Sequence, residues 1–133
     1  GSLEQMALAE FCKENFNSHV KTLKNKLQKK SEAICNALDK YFGSSAEYKK
    51  PDGGIFVWVD MHKKVDTSRL YELALKDGVA INPGNEWSIN KSGRHKMRLC
   101  FGNPSIKEID EGIKRLAIIC RKEFGIPTKI ANL

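Results

Sequence analysis

Apolar residues recur at helical spacing towards both ends of this chain and gather in short dense runs between them. Val20, Leu23, Leu27, Ile34 and Leu38 step by three, four and seven, which places them on one face of a helix. Asn17-Ser18 supplies a cap for that helix, which is predicted to run to about Phe42, with Gly43 at the residue after its end. At ~1.5 Å per residue it reaches ~38 Å, more than a small domain needs. Before it, Leu3 to Asn15 reads as a separate helix with Met6, Leu8, Ala9, Phe11 and Cys12 at its apolar positions. Leu70, Leu73 and Ala74 give a third helix its face, with Asp66 or Thr67 as cap and Gly78 as stop. The last helix carries Ile106, Ile109, Ile113, Leu116, Cys120 and Phe124. It opens on Ser105-Ile-Lys-Glu108, a capping box, and is stopped by Gly125 and Pro127.

Three runs have strand length. Ile55 to Asp60 is dense in apolar and aromatic residues and is entered through Gly53-Gly54. Val79 to Asn82 is short, rich in β-branched residues and stopped by Pro83-Gly84. Met97 to Phe101 is apolar but carries Arg98. Ser44 to Asp52 reads as a loop or a short edge strand, and Asn85 to Arg94 as a polar loop. The order α-α-β-α-β-β-α predicts an α+β domain: a small three-stranded sheet with helices packed on one face, preceded by a long helix. Residues 1–2 have the look of a tag remnant, 3–127 form the domain (helices 3–43, α/β core 44–125) and 128–133 form a tail.

Composition changes this picture little. Apolar content of 41% and charged content of 29% over 133 residues are those of one ordinary globular domain. No apolar run approaches the ~20 residues that cross a bilayer, so no membrane role is expected. Four cysteines, Cys12, Cys35, Cys100 and Cys120, are widely spaced, which suits reduced buried thiols in a cytoplasmic protein better than a metal site. The net charge of +7 owes much to Lys21–Lys50, which holds eight lysines against three acids. Those lysines are spread along a helix without interleaved aromatics, so they read as a solvated face rather than a nucleic-acid footprint.

Few residues have the pattern of chemistry. Arg98 sits inside an apolar strand, where an unpaired charge is costly. It either points to a partner, faces a cleft, or shares an ordinary exposed face with Lys96 while Met97 and Leu99 turn inward. Guanidinium is the group best matched to a carboxylate, through two parallel hydrogen bonds. Gly53-Gly54 and Pro83-Gly84 read first as turns. His19, His62 and His95 read as isolated, and Trp58 as core. No Ser-His-Asp or phosphate-loop signature is present.

The ordered set Pro51-Asp-Gly-Gly-Ile-Phe-Val-Trp-Val59, Gly78-Val-Ala-Ile-Asn-Pro-Gly84 and Met97-Arg-Leu-Cys-Phe101 resembles the C-terminal small domain of class I/II (fold-type I) pyridoxal-phosphate aminotransferases, over roughly residues 18 to 120. That resemblance implies several things. The long helix would bridge a small and a missing large domain. Arg98 would bind the substrate α-carboxylate. Gly53, Gly54, Pro83, Gly84, Asn85 and Trp87 would line the cleft, with Glu86 beside them, and the family more often has Phe where Trp87 stands. Pyridoxal phosphate would belong to the full-length parent, a homodimer that moves an amino group between an amino acid and a 2-oxo acid. The Schiff-base lysine, the pyridine-nitrogen aspartate and the ring-stacking aromatic belong to the large domain in that family. No cofactor, catalytic residue or metal is therefore expected on these residues alone, and the isolated chain is expected to be inactive. Two other readings share the scaffold: an amino-acid-sensing domain of a winged-helix transcription regulator, and a carbon–sulfur lyase.

Overall fold

The computed structural model describes residues 2–86 and 93–130, with side chains for 17–85 and 93–130. Helix α1 spans Ser2–Tyr41, followed by strands β1 (Ala46–Tyr48) and β2 (Phe56–Met61). Helix α2 (Thr67–Lys76), strand β3 (Asn82–Pro83), strand β4 (Lys96–Cys100) and helix α3 (Ile106–Phe124) complete the order. The strands form one antiparallel sheet in the order β1-β2-β4-β3.

Alternation along the two central strands builds the core. Val57, Val59 and Met61 of β2 and Met97 and Leu99 of β4 are buried on one face. Ile34 and Leu38 of α1, Leu70 and Ala74 of α2, and Ile109, Ile113, Leu116 and Cys120 of α3 close over that face. Burying one such aliphatic side chain contributes about 1.5–3 kcal/mol. The opposite face of the sheet carries Phe56, Trp58, Asp60, Lys96, Arg98 and Cys100, all exposed or half-buried. The expected architecture, α+β with helices on one face, is the one observed.

Four differences from the sequence reading have physical causes. First, α1 is a single helix, not two. Neither glycine nor proline interrupts residues 3–41, and Asn17 and Ser18 cost an exposed helix only a few tenths of a kcal/mol each. The Ser18 carbonyl stays helical and also accepts from Thr22 Oγ1 at 2.9 Å. Second, the sheet has four strands rather than three, because Ala46–Tyr48 pairs with Val59–Met61 as the edge. Third, β3 lies at Asn82–Pro83 rather than 79–82. Pro83 is tolerated there because β3 is an edge strand and its missing N–H breaks no inner ladder. Fourth, Trp58 is not core: it is 51% exposed on the open face.

Both helix caps on the C-terminal half are as read. Asp66 accepts from Ser68 N–H and Arg69 N–H, and Ser105 and Glu108 form the reciprocal capping box. The Ser105 N–H and hydroxyl hold the Glu108 carboxyl below its ordinary range. Gly125 ends α3 with φ of 66°. Beyond it, Ile126 is buried, and Lys129 N–H donates to the Tyr41 carbonyl at 2.9 Å, so residues up to 130 return along α1. In the other direction α1 outruns the core. Its first buried residue within 17–41 is Ser31, while Leu23 is 49% exposed and Lys21, Lys24, Lys26 and Lys29 face solvent. No helix among the described residues is long and apolar enough to cross a membrane.

Two tests follow from packing. A Cβ added to Gly84 would run into the Gly93 carbonyl oxygen and come within 2.7 Å of the Lys96 carbonyl oxygen, both backbone atoms. Gly84→Ala is therefore expected to lower unfolding free energy by about 2 kcal/mol or more. Gly53, with nothing within 4 Å of such a Cβ, should tolerate alanine to within about 1 kcal/mol; equal urea midpoints for the two variants would contradict this. Burial pushes the Cys120 thiol from 9.0 up to about 12. A raised folded pKa means stability that is complete below the unfolded value and is lost as pH rises through 9 towards 12. Between pH 9 and 11, unfolding free energy should fall by about 1.4 kcal/mol per pH unit more steeply than in Cys120→Ala. Parallel curves for the two proteins would show the thiol is not sealed.

Candidate functional site on the open face of the sheet

Arg98 occupies the middle of β4, an inner strand, opposite Trp58 on β2 and Asn82 on β3. Its neighbours Met97 and Leu99 are 0% and 4% exposed, so alternation turns Arg98 to the open face. Its guanidinium carbon lies 4.1 Å from the centre of the Phe56 ring and 5.5 Å from that of Trp58. Nε is buried and has no hydrogen-bond partner. Among the described residues no carboxylate pairs with Arg98. Aromatic faces attract a cation through the negative charge above their rings but accept none of its forked hydrogen bonds. The charge is therefore held over the rings without a described acid taking up its fork.

The other candidates are distributed around this face. Pro83 is buried and sits opposite Met97. With Gly84 buried against the Gly93 and Lys96 carbonyls, this turn brings β3 against β4 beside Arg98 and offers no surface of its own. Asn85 is exposed, and its amide donates to Ser68 Oγ at 3.2 Å, next to the start of α2. Trp87 lies outside the described residues, as does the side chain of Glu86. Gly53 and Gly54 precede β2, in the loop that enters it. They line a crevice of ≈ 740 Å³ between α1 and the loop before β2, together with Leu27, Ser31 and Phe101. Gly54 has φ of 75°, a conformation that favours glycine. Ser31 Oγ is buried there without a partner.

The sequence reading missed two features. His95 is not isolated: its Nε2 lies 3.0 Å from Asp60 Oδ1 on the open face. The register brings them together, since Asp60 stands opposite Lys96 and Met61 N–H donates to the His95 carbonyl. Both groups are well exposed, so the pair contributes at most about 1 kcal/mol. The second is the stacking of Arg98 on two aromatics. The spacing Phe56-Val57-Trp58 is the available signal, because residues two apart on a strand share a face.

A pyridoxal-phosphate site needs an enclosed lysine with a lowered pKa. Every described lysine is exposed or half-buried, and the half-buried Lys30 donates to the Gly102 carbonyl at 3.1 Å. The described residues do not fit that cofactor by themselves. Nor do the described residues include three or more His, Cys, Asp or Glu side chains grouped to hold a metal ion.

Comparison with known proteins agrees with the geometry. The profile of the family "aminotransferase class I and II" matches residues 1–116. A 2-aminoadipate transaminase of Thermus thermophilus is 32% identical over 114 residues, 86% of this chain and 29% of that protein. An HTH-type transcriptional regulator of Bacillus subtilis is 31% identical over 121 residues, 90% of this chain and 25% of that protein. The crystal structure of an α-aminoadipate aminotransferase from Thermus thermophilus matches with a TM-score of 0.75 at 30% identity. That match covers 89% of this chain and 30% of the enzyme. A kynurenine aminotransferase of Pyrococcus horikoshii gives 0.73 at 31% identity, over 80% of this chain and 26% of that one. The chain thus spans less than a third of the length of these relatives. It belongs to the class I and II aminotransferases, a pyridoxal-phosphate-dependent family.

Proposed function

We propose that these residues are the small domain of an aminotransferase whose full chain transfers an amino group between an amino acid and a 2-oxo acid. In this reading Arg98 anchors the substrate α-carboxylate. The observation that carries it is the outward guanidinium of Arg98, held by ring faces, with no acid among the described residues occupying its fork. Pyridoxal phosphate, when bound to the full chain, supplies the electron sink for the transfer. This domain contributes orientation: two parallel hydrogen bonds fix the carboxylate, and with it the amino group, relative to the rest of the enzyme. Closure of the domain over the substrate excludes water. The long α1, exposed over its first described side chains, suits a helix that continues into the missing large domain. The full chain is read as a cytoplasmic homodimer assembled mainly through that large domain. The 133 residues alone are read as inactive.

A second reading is supported by the match to an HTH-type transcriptional regulator over 90% of this chain. There the same arginine would bind an amino acid as a signal rather than a substrate.

The full-length chain, loaded with pyridoxal phosphate and followed by cofactor absorption during addition of single amino acids, separates the two. A donor-dependent spectral conversion, reversed by a 2-oxo acid, is expected of an aminotransferase; saturable binding without conversion is expected of the sensor. In either case Arg98→Ala should weaken the apparent affinity about 100-fold, the loss of two charge-assisted hydrogen bonds, and Arg98→Lys less. Unchanged affinity in Arg98→Ala would remove Arg98 from the site.

A further inference from the structure

Arg98 does not lie where the strand register alone would leave it. Trp58 is its direct cross-strand partner, whereas Phe56 pairs with Cys100, two residues further on. Yet the guanidinium carbon is closer to the Phe56 ring, at 4.1 Å, than to the Trp58 ring, at 5.5 Å. The side chain therefore leans along the strand and lies over both rings. Its Nε is sealed in the process, buried and without a hydrogen-bond partner, while the residue as a whole is half-buried. Among the described residues no acid is paired with the far end of the guanidinium, the Nη1 and Nη2 pair. Trp58 is 51% exposed on the open face.

We propose that Phe56 and Trp58 form an aromatic platform that positions Arg98 and presents its two Nη groups, end-on, to a substrate carboxylate. Both aromatics are then positioning residues. This rests on the carboxylate reading above. An arginine free in solvent must give up the freedom of its long side chain on binding, and a platform that has already ordered it removes that cost. An acid in the same place would order the arginine equally well but would occupy the fork. Phenyl and indole faces avoid this, because they attract the cation without accepting its N–H groups.

Two measurements test the platform. In the 133-residue chain, the Arg98 Nε–H proton should resonate upfield of an ordinary arginine because it sits over a ring, and should move back in Phe56→Leu. No ring-current shift would overturn the platform itself. In the full-length aminotransferase, Phe56→Leu and Trp58→Leu should each raise KM for the amino donor about tenfold, with kcat within about twofold. Trp58→Phe should restore most of the loss. Neither leucine variant should add to the effect of Arg98→Ala, since residues acting through one group are non-additive. Full additivity in the Arg98→Ala background would show that the rings touch substrate independently and would overturn the inference while leaving Arg98 as anchor. A shifted Nε–H with unchanged KM in Arg98→Ala would instead leave the platform standing and overturn the carboxylate reading. Should Phe56→Leu not fold, the exposed Trp58 pair, leucine against phenylalanine, decides the outcome.

Discussion

Burying one face of the sheet under three helices constrains every other feature of this domain. Once Val57, Val59, Met61, Met97 and Leu99 must point inward, strand geometry leaves Phe56, Trp58, Asp60, Lys96 and Arg98 no choice but the other face. A slip of one residue in the β2–β4 register would bury Arg98 and expose the core set together, so the register is strongly specified. The chemistry of the open face is thus a by-product of the packing of the closed one. The place of Arg98 on an inner strand follows from that packing, and its neighbours on both sides are fixed by the same ladder.

What distinguishes Arg98 is the nature of its company. Two other arginines of the domain are settled by acids: Arg69 by Glu72 and Glu123, Arg115 by Glu111. Arg98 is settled by two rings and keeps hydrogen-bonding capacity. The backbone around it is equally committed, with Gly84 wedged against carbonyls of residues 93 and 96 to hold β3 beside β4. The rigid part of the site is therefore the sheet and its Pro83-Gly84 turn. The crevice at Gly53 and Gly54 lies between α1 and the loop before β2.

The sequence shows the closed face better than the open one. In Lys96-Met-Arg-Leu-Cys100 polar and apolar residues alternate, so the inward and outward sets can be read directly. In Ile55-Phe-Val-Trp-Val59 every residue is apolar, the period of two is invisible, and Trp58 reads as core although half of it is exposed. A break in α1 at Asn17-Ser18 is legible but false, because these residues suit a cap as well as they suit an exposed helical turn. Only the continuous backbone distinguishes the two. The Asp60–His95 pair and the Arg98 stacking depend on register between strands distant in sequence, which no local pattern encodes. The helix caps at Asp66 and Ser105 and the left-handed glycine at position 125 depend on neighbours within four residues, and those are legible.

The most direct measurement is a crystal structure of the full-length chain with a bound amino-acid substrate analogue. The account predicts the α-carboxylate on Arg98, its two oxygens about 2.7–2.9 Å from Nη1 and Nη2, with the guanidinium still lying over Phe56 and Trp58. A carboxylate held elsewhere, with Arg98 instead paired to an acid of the rest of the chain, would contradict it.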